Sequence, residues 1–169
     1  MLRTILILSL LAAMCAEAQA QSYDQLSKWC YGDVTDDQTI QGCSAVITSG
    51  RVTGTALASA FANRGFAYNN KGQYDRAIQD YDQAIKLNPN YVDAFNNRGI
   101  AYANKGQYDR AIQDYDQAIK LNPNYALAFN NRGNAYKSKG QYDRAIKDYD
   151  QAIKLNPNYC LLYTSPSPR

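Results

Sequence analysis

Asp80 and Asp82 stand two residues apart, and the spacing returns at Asp114 with Asp116 and at Asp148 with Asp150. Paired carboxylates are common equipment for general acid–base catalysis. Two features argue against that use here. Side chains two apart on a helix do not face each other, and a catalytic site seldom recurs three times at one period. The aspartates are therefore expected as charges on a solvated face. No histidine occurs in the 169 residues, which removes Ser-His-Asp and Cys-His chemistry, His metal ligands and the commonest general base. Glu17 is the only glutamate, so from Gln21 onward every acidic side chain is an aspartate. The chain reads as a non-enzyme, with no catalytic residue, metal or cofactor expected.

Cys30 and Cys43 have twelve residues between them, Gly32-Asp33 included. Two cysteines without histidine cannot complete a tetrahedral metal set, and the spacing is not that of a C-x-x-C redox pair. In an exported chain a disulfide is the preferred reading, worth about 3 kcal/mol in the chain-entropy model. It depends on the flanking helices bringing the two Cα atoms within about 7 Å.

Export is suggested by the first twenty residues. Met1-Leu2-Arg3 gives a positive start, residues 5–13 form an apolar run, and Ala18-Gln19-Ala20 offers a signal-peptidase site that leaves Gln21 first. The run falls short of the roughly 20 apolar residues a membrane helix needs, so no stable membrane span is expected after cleavage. Cys15 invites a lipoprotein reading, but Met14 occupies the position where lipid attachment wants a small residue. The mature chain is read as periplasmic or secreted, where thiols oxidise. At the other end, residues 160–169 break the pattern that precedes them. They resemble one reading frame of a transposon-derived sequencing adapter, so Cys160 carries no disulfide argument and the gene is expected to continue past Tyr159. The net charge is +3, with no basic run, and nucleic acid is not expected as a partner.

A period of 34 dominates the remainder. Residues 60–93 and 94–127 differ only at Ala62/Asn96, Phe66/Ile100, Asn69/Ala103, Val92/Ala126 and Asp93/Leu127, and residues 128–161 repeat the pattern. Each unit reads as two helices, in the first unit 60–71 and 74–87. The breaks fall at Gly72-Gln73 and Asn88-Pro89-Asn90. Ala77, Ile78, Tyr81, Ala84 and Ile85 form a stripe at three- and four-residue spacing. Gly65 and Ala77 are expected at the helix crossing, with Phe61, Tyr68 and Tyr81 filling the space around them. Asp82 with Lys86 and Arg76 with Asp80 are expected as i,i+4 ion pairs.

The constellation Phe61, Gly65, Tyr68, Ala77, Tyr81, Ala84 and Pro89 resembles the tetratricopeptide repeat family. Phe95, Gly99, Tyr102, Ala111, Tyr115, Ala118 and Pro123 repeat it, as do Phe129, Gly133, Tyr136, Ala145, Tyr149, Ala152 and Pro157. Arg64, Arg98 and Arg132 depart from it, standing where the family often carries Leu. The resemblance implies an all-α fold, a right-handed superhelical solenoid of antiparallel helix pairs. Residues 21–59 are read as a degenerate capping pair, helices 23–31 and 36–49, joined by a Gly/Thr-rich connector at 49–55. In this pair Ile40 and Ile47 fall in phase with Ile78 and Ile85, and Trp29 is packed. Leading segments of short exported proteobacterial members of the family look similar.

By the same resemblance, the first helices line a concave groove that holds a peptide or protein partner. The positions mapping to it are Asn63, Phe66, Asn69 and Asn70; Asn96, Asn97, Ile100 and Asn104; and Asn130, Asn131, Asn134 and Lys137. Ala62, Ala103 and Ser138 lie among them. Asn63, Asn97 and Asn131 form a ladder of amides, each able to donate to and accept from a bound backbone. Variation at Phe66/Ile100/Asn134 and Asn69/Ala103/Lys137 either tunes pockets along one ligand or marks positions where drift is tolerated. The family's carboxylate clamp for chaperone tails needs Lys and Asn where Ala62 and Phe66 stand, so that partner class is disfavoured. An interaction module or adaptor is the expected function. The alternative is a targeting arm of a larger protein whose missing C-terminal part is an enzyme.

Overall fold

The computed structural model describes residues 22–157. The signal-like segment and the tail from 158 onward lie outside them. Eight helices follow one another: α1 (Tyr23–Tyr31), α2 (Asp36–Ser49), α3 (Gly54–Asn70), α4 (Tyr74–Leu87), α5 (Val92–Asn104), α6 (Tyr108–Leu121), α7 (Ala126–Ser138) and α8 (Tyr142–Leu155). No strand occurs among the described residues. The helices stack as consecutive hairpins, α1/α2 to α7/α8, each against the next. The result is an all-α solenoid.

The turns follow from the sequence. After α3, Gly72 takes a left-handed φ of 72°, which a residue with a Cβ rarely adopts. The Gln73 N–H then donates to the Tyr68 carbonyl at 2.8 Å and the Gly72 N–H to that of Asn69 at 2.9 Å, closing the end of the helix. Gly106 and Gly140 repeat the turn. At the other break, the Asn88 side chain accepts from the Asn90 N–H at 3.2 Å, and Asn122 repeats this with Asn124. α3 starts six residues before the expected Ala60, so the connector is only 50–53. The extra turn holds because Ala58 and Ala60 are fully buried, Ala60 within the cluster of Cys30, Cys43 and Val46.

Close approach is what the small residues provide. A Cβ on Gly99 would lie 2.6 Å from the Tyr115 ring, and one on Gly133 2.7 Å from that of Tyr149. In the leading pair the roles are exchanged. A Cβ on Gly42 of α2 would lie 2.4 Å from the Leu26 carbonyl oxygen and 2.7 Å from the Cβ of Trp29 on α1. This contact brings the Cα atoms of Cys30 and Cys43 to 4.4 Å, with the sulfurs at bonding distance, inside the separation a disulfide requires. The leading pair repeats the later interfaces with a shift of 38 residues rather than 34. Asp37 takes Lys71 as Asp75 takes Lys105, and Ser44 takes Arg64 as Asp82 takes Arg98. The four added residues are absorbed by α3, which has 17 against 13 in α5 and α7.

Three of the six aspartates correct the reading of a solvated face. Asp80, Asp114 and Asp148 are buried, at 5–6% exposure. Each receives a two-pronged guanidinium from its own unit's first helix. Arg98 Nε donates to Asp114 Oδ2 at 2.8 Å and Arg98 Nη2 to Oδ1 at 2.6 Å, and Arg64–Asp80 and Arg132–Asp148 share this geometry. The third nitrogen crosses to the preceding unit, where Arg98 Nη1 meets Asp82 and Arg132 Nη1 meets Asp116, both at 2.6 Å. The i,i+4 pairs are thereby displaced: Asp80 and Asp82 go to Arg64 and Arg98, and Arg76 donates to Gln73 instead. Burial lowers the Arg98 pKa, but hydrogen bonds and charge from Asp114 and Asp82 outweigh it and hold it above the ordinary value. Burial pushes the Asp114 carboxyl up, against the pull of Arg98.

A buried carboxylate that loses its arginine keeps its desolvation cost without compensation. Arg98→Leu is therefore expected to destabilise by about 3 kcal/mol or more. Replacing Asp114 by Leu in the same chain should recover a large part of that loss. Urea unfolding followed by circular dichroism measures both. A double variant no more stable than Arg98→Leu would refute the burial argument.

Candidate functional site on the inner face

Successive first helices touch one another, α1 to α3, α3 to α5 and α5 to α7, whereas successive second helices do not. The array therefore bends with the first helices on its inner side. A hollow of about 300 Å³ opens there between α5 and α7. It is lined by Ile100, Ala103, Asn104, Tyr108, Tyr115, Asn131, Asn134, Ala135 and Ser138. Four expected groove residues, Ile100, Asn104, Asn131 and Asn134, are thus brought to one place. Phe66 is 52% exposed, at the position in α3 equivalent to Ile100. Asn70 and Lys137 are exposed and Asn69 is half-buried.

The amide ladder is not open in the way its spacing suggested. Asn63 Nδ2 donates to the Cys30 carbonyl at 3.0 Å, tying α3 to the end of α1. Asn96 is only 2% exposed. Its Oδ1 accepts from Asn131 Nδ2 at 2.9 Å and its Nδ2 donates to Asn97 Oδ1 at 3.3 Å, so three amides join α5 to α7. Asn96 and Asn63 thus already spend polar groups on ties to neighbouring helices. Asn104 Nδ2 reaches Asn69 Oδ1 at 3.4 Å, and Asn70 Nδ2 donates to Asp36 at 3.1 Å. Asn130 is half-buried. Asn134 accepts from the Tyr149 hydroxyl at 2.8 Å, which gives a reason for the polar residue where earlier units carry Phe66 and Ile100.

Tyr108 and Tyr115 also line the hollow, though neither was among the expected groove residues. The hollow lies over the crossing of α5 and α6, so a core tyrosine also forms part of its wall. The neutral phenol of Tyr115 is secured by burial first and by the Asp114 charge second, both raising its pKa. Three further hollows recur at the Gly-Gln-Tyr-Asp-Arg turns. In the first two, the bordering Lys105 and Lys139 are already paired with Asp75 and Asp109. Among the described residues no group of three or more His, Cys, Asp or Glu is placed to hold a metal ion. No helix there is long and apolar enough to cross a membrane.

Since Asn96 is buried with both ends bonded, Asn96→Ala should lower stability by about 1–3 kcal/mol. Asn104→Ala, at an exposed position of the same helix, should change it by less than about 0.5 kcal/mol. Equal effects in urea unfolding would remove the distinction between tie and surface.

Comparison with known proteins bears on this architecture. A family pattern described as TPR repeat matches residues 65–106, and one described as tetratricopeptide repeat matches residues 92–125 and 126–159. No curated protein matches the chain at a significant level. Among solved structures, the MamA protein is similar with a TM-score of 0.64 and 26% identity, over 79% of this chain and 70% of that one. The first TPR of Spaghetti (RPAP3), bound to the HSP90 peptide SRMEEVD, gives 0.61 and 29%, over 64% of this chain and 86% of that one. The second TPR domain of human RPAP3, in complex with the HSP70 peptide SGPTIEEVD, gives 0.55 and 32%, over 57% and 81%. The family matches together span residues 65–159, more than half of the sequence, and fall on the stacked helix pairs: the chain belongs to the tetratricopeptide repeat family.

Proposed function

We propose that this protein is an interaction module whose inner face binds a segment of a protein partner, and that it carries out no reaction of its own. The hollow between α5 and α7 carries the reading. It combines an apolar wall, Ile100 and Ala103, with the amides of Asn104 and Asn134, the mixture that suits a peptide's side chain beside its backbone. Phe66 offers a second apolar contact one unit away. Related domains bound to peptides support the class of partner. The acidic chaperone tails seen there are not the partner favoured here, since Ala62 is buried and Phe66 is apolar at the two clamp positions.

A photo-crosslinking amino acid at Phe66 or Asn104 should capture the partner, and one at Lys86 on a second helix should not. Ile100→Ala combined with Phe66→Ala should then weaken binding of that partner about tenfold or more, with an unchanged helical spectrum. Capture only from Lys86 would move the site to the outer face.

We further propose that the protein acts outside the reducing cytoplasm, as a periplasmic or secreted component, with Cys30 and Cys43 joined. The signal-like start and the 4.4 Å Cα separation support this reading. Reductant should lower the melting temperature of the parent but not of a Cys30→Ser, Cys43→Ser variant. The stability difference should be about 3 kcal/mol. Identical melting of the parent with and without reductant would dismiss the bond.

A further inference from the structure

Each unit sets a different residue against the hydroxyl of the same tyrosine. On α8 the Tyr149 hydroxyl donates to Asn134 Oδ1 at 2.8 Å. The residue equivalent to Asn134 is Ile100 one unit earlier and Phe66 two units earlier, and neither side chain can accept a hydrogen bond. The Tyr81 hydroxyl is accordingly buried with no partner. Tyr115 differs from both. It is 2% exposed, yet with Ile100 it forms part of the wall of the hollow between α5 and α7. Its ring lies against Gly99 as the Tyr149 ring lies against Gly133, which directs its hydroxyl to the Ile100 side of the hollow. Among the described residues nothing hydrogen-bonds that hydroxyl, and a phenol so enclosed is costly to leave unpaired.

The other polar groups of the hollow narrow what can fill it. Asn104 and Asn131 each commit Nδ2 to a neighbouring amide, which leaves their oxygens as acceptors. Asn134 commits Oδ1 to Tyr149, which leaves its nitrogen as a donor. None of the lining residues is charged, so a carboxylate or an ammonium would lose its hydration there without a counter-charge. The negative charge of Asp114, felt at the Tyr115 phenol, counts further against a carboxylate. We infer that the hollow is a subsite for one neutral carboxamide side chain of the partner, glutamine or asparagine, with the Tyr115 hydroxyl donating to its carbonyl oxygen. The stem packs on Ile100 and Ala103, and the amide nitrogen faces the oxygens of Asn104 and Asn131. This assignment rests on the inner-face reading above and adds which side chain that face selects.

The probe is an acetylated, amidated pentapeptide with glutamine at its centre and alanine elsewhere, titrated into the full chain and read by saturation-transfer NMR. Saturable binding is expected. Peptides with glutamate or lysine at the centre should bind at least tenfold more weakly, and one with leucine more weakly than glutamine. Tyr115→Phe should weaken the glutamine peptide about threefold to tenfold, as suits one hydrogen bond. Ile100→Asn, which gives the hydroxyl the partner that Tyr149 already has, should weaken it as well. Tyr81→Phe removes a hydroxyl outside the hollow and should bind as the parent does. Circular dichroism melts of the three variants separate these effects from unfolding. No saturable binding of the glutamine peptide, a preference for glutamate, lysine or leucine, or indifference to Tyr115→Phe would overturn the assignment. Partner capture from Phe66 and Asn104 judges the inner-face reading separately, and that reading stands if only the amide preference fails.

Discussion

A backbone can rest on the flank of a tyrosine ring only where the residue facing the ring has given up its side chain. That steric constraint, at Gly65, Gly99 and Gly133, fixes how near the two helices of each unit lie. The rest of the unit follows from it. At so short a separation the seam admits mainly alanines, and Ala77, Ala84, Ala94 and Ala101 are fully buried beside Tyr81. The tyrosine supplies the volume that the small residues forgo, so the interior stays filled without large aliphatic side chains.

Close helices also decide the fate of the charges. Asp80 lies beside Tyr81 on the buried side of α4, where a lone carboxylate would be costly. Arg64 reaches it across the hairpin, and in later units the same type of guanidinium extends to the unit before. A planar group with several fixed donors can bridge three helices at once, which a lysine cannot do with the same geometry. The departure from the family's usual Leu is thus a different solution to filling the seam, one that joins neighbouring units electrostatically as well as by contact.

The period of 34 made the repeats and nearly all helix limits legible, because equivalent residues recur visibly. It did not reveal which of them face a neighbour. Asp80 looked solvated because rules for pairs along one helix do not see a partner 16 residues away on another. A clue was present: an arginine at an apolar position in every unit, always the same distance before an aspartate. Asn96 was legible as a first-helix residue, but not as buried, since its equivalent Ala62 carries no polar group to satisfy. The extra turn of α3 was hidden by glycine and threonine in the connector, whose helix-breaking signal is local. The burial of Ala58 and Ala60 that overrides it is tertiary. Within the candidate groove, the ties of Asn63 and Asn96 were not readable, because their partners lie on other helices.

Every helix in this array leans on elements close to it in sequence, and no central core gathers them. Cohesion therefore accumulates along the chain instead of around a middle. Among the described helices, the leading pair is also held where Cys30 and Cys43 bring their sulfurs to bonding distance. Such a molecule opens locally, pair by pair, rather than all at once. Amide protection should therefore vary gradually from one helix pair to the next instead of peaking at a centre.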